Sequence, residues 1–222
     1  MFRCVLVLIA LMVSTSLQAE QIQPFKAHYH LVVDGWPNAD MTHQLERDKD
    51  GWRTTMHASI RIATGYEYSR FRLRNDTGVA PWSFYSRYRL FGFGDTYRLD
   101  AQQLSNLPDR QAALFALSRQ AFDAPECRGR HAPPCTFAYL DHKERQRDMA
   151  WRVIDDPEML VPQGRWQTRH VEVWDEDKPD RRLHVYVTSR YPGLLVQTDY
   201  FRDGKLSARL QLTGLETQQV PQ

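Results

Sequence analysis

Eight histidines, three cysteines and a run of arginines among tyrosines are the residues of this 222-residue chain with chemistry to offer. His28-x-His30 puts two imidazoles on one face of a strand, with His43 and His57 on the strands that follow. Three of them converging would make a zinc site. Register argues against that. Pairing apolar faces sets Val33 opposite Met41 and Tyr29 opposite Leu45, which sends His43 to the buried side. Leu45 then opposes Thr54, and His57 falls on the polar side, two strands from His30 and not level with it. A slip of one residue would join His30 to His43 but would oppose apolar and polar faces throughout. The histidines are therefore expected to be solvated or singly hydrogen-bonded, and no metal or cofactor is assigned.

Catalytic patterns are equally sparse. The chain has no G-x-S-x-G, no H-E-x-x-H and no glycine-rich phosphate loop. Ser59, Ser83 and Ser86 have no signature around them that marks a nucleophile, and Asp155, Asp156 and Glu158 flank Pro157 in what reads as a solvated acidic turn. No catalytic residue is assigned.

The most suggestive cluster is aromatic and basic. Strand alternation puts Tyr66, Tyr68, Arg70, Arg72 and Arg74 on one face, with Tyr85, Arg87 and Arg89 on one face of the next strand. Guanidinium beside phenol on a curved sheet could hold an anionic lipid head, an acidic sugar or a peptide carboxylate. Tyr66, Tyr68, Arg70, Arg72, Tyr85 and Arg87 are therefore the candidate ligand-binding residues. The plainer reading is a solvated sheet face on which tyrosine is a good strand residue. Phe91-Gly92-Phe93-Gly94 reads as a flexible aromatic turn at a rim.

Where these groups work is set by Met1–Ala19. Phe2 and Arg3 make a short positive start, Val5–Val13 is uninterrupted apolar sequence, and Ser14–Ala19 supplies small or uncharged residues before Glu20. That is a cleavable signal peptide, with an apolar run too short to span a bilayer. Cys4 precedes the run, so it is not a lipid-bearing cysteine. The expected location is the periplasm, with no transmembrane segment after signal removal. Cys127 and Cys135 then read as a disulfide stapling the loop RGRHAPP. A redox or metal site with His131 is the weaker reading, since there is no C-x-x-C. Removing the leader leaves 28 basic against 27 acidic residues. So near-even a balance excludes the strongly basic face of a nucleic-acid binder.

Residues 20–222 are expected to form a single β-rich domain. Alternation marks strands at Phe25–Val33, Ala39–Arg47, Trp52–Ile62, Tyr66–Arg74 and Trp82–Leu90, an antiparallel meander with one apolar face. Asp109–Phe122 breaks the pattern as a helix with Asp109 as N-cap. Strands resume at Thr136–Leu140, Arg145–Ile154, Arg165–Trp174, Arg182–Ser189, Leu194–Arg202 and Lys205–Thr213, with a hairpin turn at Asp203-Gly204.

The opening F-x-A-x-Y strand (Phe25, Ala27, Tyr29), the central helix, Glu158–Gly164 (EMLVPQG) and Tyr191–Leu212 carry a resemblance. Together they resemble the exported bacterial family catalogued as domain of unknown function 3108. That resemblance implies a mainly β fold, an antiparallel sheet curved into an open or partly closed barrel with one helix packed on it. It implies no reaction.

The function expected from all this is non-catalytic: a periplasmic protein that binds or carries an apolar or amphipathic envelope ligand, lipid or glycan. An envelope assembly or scaffold protein that recognises another protein is the alternative, and an unrecognised envelope hydrolase comes third.

Overall fold

A single curved antiparallel sheet wraps around one helix. The structure, a computed structural model, describes residues 22–74 and 77–217. Met1–Ala19, expected to be a signal peptide, lies outside the described residues. The first half of the sheet is a meander: β1 (Phe25–Val33), β2 (Ala39–Asp48), β3 (Gly51–Ile60), β4 (Ala63–Leu73), β5 (Val79–Leu90) and β6 (Thr96–Leu99). The helix α1 (Arg110–Asp123) and a short 3-10 turn at Pro125–Cys127 follow. Then come β7 (Cys135–Leu140), β8 (Gln146–Asp155), β9 (Glu158–Val161), β10 (Gly164–Gln167) and β11 (Arg169–Asp175). The last strands are β12 (Arg181–Val187), β13 (Leu195–Arg202) and β14 (Lys205–Thr217).

Twelve strands form one sheet in the order β6-β5-β4-β3-β2-β1-β14-β13-β12-β11-β8-β7, and β9 and β10 form a separate hairpin. The two halves join where the first strand meets the last, Tyr29 opposite Leu212. The edges β6 and β7 do not pair, so the sheet stays open. They come close nonetheless, for Leu99 and Leu140 share a small cluster with Phe84 and Leu104.

The helix touches β4 and β5 on one half of the sheet and β7 and β11 on the other, so it occupies the concave side. Asp109 caps it by accepting from the amides of Gln111 (2.9 Å) and Ala112 (3.1 Å), as its position before the apolar run predicts. The Ser69 hydroxyl donates to the same carboxylate at 2.6 Å and ties the cap to β4. Phe115 packs against Phe71 with the rings tilted and their centroids 4.7 Å apart. Ser118 Oγ accepts from the Gly193 amide at 2.7 Å, fastening the helix to the second half.

Three expectations need correcting. The first hairpin pairs Tyr29 with Met41 and Leu31 with Ala39, four residues from the expected Val33–Met41 register. The shift is even, so every side chain keeps its face and His43 is buried as expected. The connection is longer than expected: on its β2 edge β1 stops at Leu31, while its other edge stays paired to β14 as far as Val33–Ala208, and the Asp34 amide donates to Ser207 O at 2.9 Å. Leu45 does oppose Thr54. Second, the strand expected over Arg165–Trp174 breaks at Thr168. The Pro157 carbonyl accepts from both the Thr168 amide (3.1 Å) and its hydroxyl (2.8 Å), and this closes the β9–β10 hairpin. Third, Asp155 and Asp156 are not a bare solvated turn. Asp155 accepts from the imidazole of His170 (3.0 Å), and Asp156 holds Arg169 (2.7 Å) and Arg128.

Candidate functional site

Residue size grades along the concave face of the first half. Towards one end the inward positions carry Phe25, Tyr29, Leu45, Trp52 and Phe71, all buried in the core cluster that also holds Ala112, Phe115 and Leu117 of the helix. Towards the other end the inward positions of β2 to β4 carry Ala39, Ala58, Ala63 and Gly65. Large side chains fill the first region and small ones leave the second hollow. A Cβ placed on Gly65 would meet nothing within 4 Å.

The result is a trough of about 360 Å³ at the open end of the sheet. Register explains its wall: Ala58, Gly65 and Tyr88 lie in one row, and Ile60, Ala63 and Leu90 in the next. Leu31 and Val33 close one side, and Trp36 and Pro37 reach over from the β1–β2 loop. Arg89 is the one charged side chain among the described lining residues. Such a surface can gain stability by covering itself with apolar matter.

The rim is apolar too. Trp36 is 51% exposed, Phe91 67% and Phe93 83%. Phe91 and Gly92 both have positive φ (52° and 82°), the geometry of a two-residue hairpin turn. The amide of Leu90 donates to Phe93 O (2.7 Å) and that of Phe93 to Leu90 O (3.0 Å). Phenylalanine is a poor choice at a left-handed position, at a cost of about 1 kcal/mol or more. The turn thus projects an aromatic ring into solvent against local preference, which favours a contact there.

The six residues singled out from alternation are gathered, but elsewhere. Tyr66, Tyr68, Arg70 and Arg72 alternate with Ser69 and Phe71, which face the helix, so the candidates lie on the outer, convex face. Tyr68 and Tyr85 stack at 5.4 Å, with Tyr66 edge-on to both at 6.3 and 5.9 Å. Arg70 pairs with Asp48 at 2.9 Å. Arg72 donates to Asp50 O at 3.1 Å and lies over Trp82, and Arg87 is exposed. None of the six lines the trough. The concave lining expected of them falls instead to apolar residues of the opposite face. The signal that marks the trough was in the sequence: small residues on the inward phase of β2 to β4, where large ones would fill the hollow.

The histidines of the first half do not converge. His28, Thr42 and His57 form a level row with His28 and His57 two strands apart, and His28 Nε2 donates to the Glu216 carboxylate at 2.7 Å. His43 is enclosed and bonded to Thr54 Oγ1 at 2.8 Å, and burial drives its pKa down to about 3, so it is neutral. On the second half, His170 bridges Asp155 and His184 (2.7 Å to the latter), a chain the sequence reading missed because its members come from three separate strands. Cys127 and Cys135 are joined as a disulfide, with Cα atoms 5.6 Å apart. Among the described residues, the one three-ligand grouping is Glu126 with these two cysteines, whose sulfurs are already bonded to each other.

The fold and site together define an open, curved antiparallel sheet wrapped on a helix, with an apolar trough at its mouth. No family model matches the chain, and no curated protein matches it. Among solved structures, MucB is similar at 14% identity and a TM-score of 0.38, over 92% of this chain and 56% of MucB. The Pseudomonas aeruginosa MucA/MucB complex is similar at 14% identity and a TM-score of 0.38, over 91% of this chain and 54% of the matched one. A Bacteroides fragilis protein described as exported, with a YmcC-like fold, is similar at 8% identity and a TM-score of 0.36. That match covers 88% of this chain and 96% of the other. The chain spans about half the length of MucB.

Proposed function

We propose that this protein is a periplasmic binding or carrier protein that holds the apolar part of an envelope amphiphile in the trough. The observation that carries the reading is the hollow, apolar stretch of concave face between Leu31, Ala58, Gly65 and Leu90, ringed by exposed Trp36, Phe91 and Phe93. An apolar lining favours acyl chains over the glycan also considered, because sugar hydroxyls need hydrogen-bond partners that this wall lacks. The leader Met1–Ala19 and the Cys127–Cys135 disulfide support the periplasm, where such a bond persists. The resemblance to domain of unknown function 3108 belongs to the same proposal. Its F-x-A-x-Y residues are the buried residues of β1, and its closing segment holds the β13–β14 hairpin.

The test is a fluorescence titration of the mature protein with the apolar probe phenylnaphthylamine, followed by displacement with envelope lipids. The trough variant Ala58→Trp should lose the probe while keeping the wild-type circular dichroism. Absence of binding, or equal binding by the filled variant, overturns the proposal. Crosslinking to one envelope protein with no lipid displacement would favour the scaffold reading in its place.

A further inference from the structure

The exposed apolar side chains of the molecule gather at one end. Among the described residues, every large exposed one except Leu73 and Leu160 belongs to the mouth of the first half or to the neighbouring start of β14. Antiparallel alternation puts three turns at that end: residues 34–38 between β1 and β2, 61–62 between β3 and β4, and 91–95 between β5 and β6. They carry Trp36, Ile62, Phe91 and Phe93. The second-half turns at the same end, residues 141–145 and 176–180, are charged instead. The apolar tip is therefore confined to one side of the mouth.

This tip is held in place. The Phe91 amide donates to Ile62 O at 2.8 Å, tying the third turn to the second, and the Tyr88 amide donates to Asp95 O at 3.2 Å. A Cβ on Gly94 would overlap the Tyr88 carbonyl, so the turn closes tightly on its own strand. Phe91 is presented at a left-handed φ of 52°, which asparagine or glycine would adopt with less strain. A fixed aromatic projection has little conformational freedom to lose on contact.

Charge indicates which partner fits. Arg61, Arg87 and Arg89 are exposed beside the tip, and none has an ion pair among the described residues. Register sets Arg89 opposite Thr64 and Arg87 opposite Tyr66, just behind Leu90 on the convex face. Of the nearby acids, Asp95 accepts from the Tyr88 and Tyr97 hydroxyls (2.7 and 3.3 Å), and Asp40 lies against His30 (3.4 Å). That leaves Asp34 against three arginines. Aromatic rings backed by guanidiniums match the layering of an anionic bilayer surface, where rings settle at the head-group boundary and cations meet lipid phosphates.

We propose that the mouth of the first half docks on an anionic bilayer, with Trp36, Phe91 and Phe93 in the interface and Arg61, Arg87 and Arg89 on the lipid phosphates. The trough then opens towards the membrane, which gives an apolar ligand a route that the carrier reading leaves unspecified. Docking stands on the tip and does not require the trough to hold anything.

Sedimentation of the mature protein with sucrose-loaded vesicles tests it, using phosphatidylcholine alone and phosphatidylcholine with an equal part of phosphatidylglycerol. The anionic vesicles should bind about tenfold more tightly, the scale of one or two arginines at a charged surface. Phe91→Asn with Phe93→Ser gives the turn its favoured Asn-Gly sequence, so this double variant should fold as wild type does. It should nevertheless lose about tenfold in vesicle affinity. Arg61→Gln with Arg89→Gln should bring the two vesicle types close to equal. Ala58→Trp, which fills the trough, should still sediment. Wild type that ignores both vesicles or prefers neither overturns the docking, and so does undiminished binding by the Phe91→Asn, Phe93→Ser variant. Loss of binding in Ala58→Trp assigns the lipid contact to the trough, which overturns docking and leaves the carrier intact. Crosslinking of the tip to an envelope protein without vesicle binding assigns it to that partner and also overturns docking. Vesicle binding by a protein that takes up no phenylnaphthylamine upholds docking and removes the carrier reading alone.

Discussion

Asp109 holds the helix to the sheet, and the structure makes it do so at the expense of its charge. The residue has no exposed surface. Burial raises its pKa from 3.8 to about 6, against the hydrogen bonds from Ser69, Ala112 and Gln111 that favour the carboxylate. In the unfolded chain the group ionises near 3.8, so between 3.8 and about 6 the native state binds the proton more tightly. Stability contributed by this group is therefore present below pH 3.8 and is lost as pH rises to about 6. The loss is about 3 kcal/mol, at 1.36 kcal/mol per pKa unit. Asparagine caps a helix about as well as aspartate and has no proton to lose. Its amide can donate to Ser69 Oγ where the carboxylate accepts from it. Asp109→Asn should thus match wild type near pH 4 and exceed it by up to about 3 kcal/mol at pH 7.5. For a chain of this size that is about 6–12 °C in Tm. Urea unfolding of both proteins at the two pH values measures it. A variant weaker than wild type by the same margin at both would refute the reasoning, since the carboxylate would then be stabilising as an ion.

Three further outcomes follow from the same physical terms. His43, buried neutral with a pKa near 3 against 6.5 unfolded, destabilises the fold as pH drops below 6.5. His43→Gln should accordingly lose less stability than wild type between pH 7 and 4.5, measured by urea midpoint. Replacing Cys127 and Cys135 by serine should cost about 2–3 kcal/mol for so short a loop, seen as a lower midpoint matched by wild type under reducing conditions. Tyr68→Ser on the convex face should leave probe binding unchanged while Ala58→Trp abolishes it, and a reversed pattern would return the site to the tyrosine–arginine cluster.

Much of the architecture was legible because period-two alternation is a direct consequence of a sheet with one covered face. It located β1 to β5 to within a few residues, and Asp109 after Pro108 marked the helix start. It also kept the faces right where the register was wrong, since the four-residue shift at Tyr29–Met41 preserves parity. Long-range pairing was not legible. Nothing local tells β1 to take the last strand, β14, as its second neighbour, and the short strand β6 carries too few residues to show a period. The face of the six candidate residues was misjudged for a related reason. Alternation separates two faces but does not say which is concave, and that is fixed by α1 touching β4 and β11 at once. Conspicuous residues drew attention to Tyr66, Tyr68 and Tyr85, whereas the hollow is made by inconspicuous ones such as Ala58, Ala63 and Gly65.

Native mass spectrometry of the mature protein, released from the envelope compartment without detergent, tests the trough most directly. A mass increment from bound amphiphile is expected on wild type, absent from Ala58→Trp at equal folded yield. Wild type that flies without any bound amphiphile and takes none up from added phosphatidylglycerol, or an increment that survives the filled trough, would contradict it.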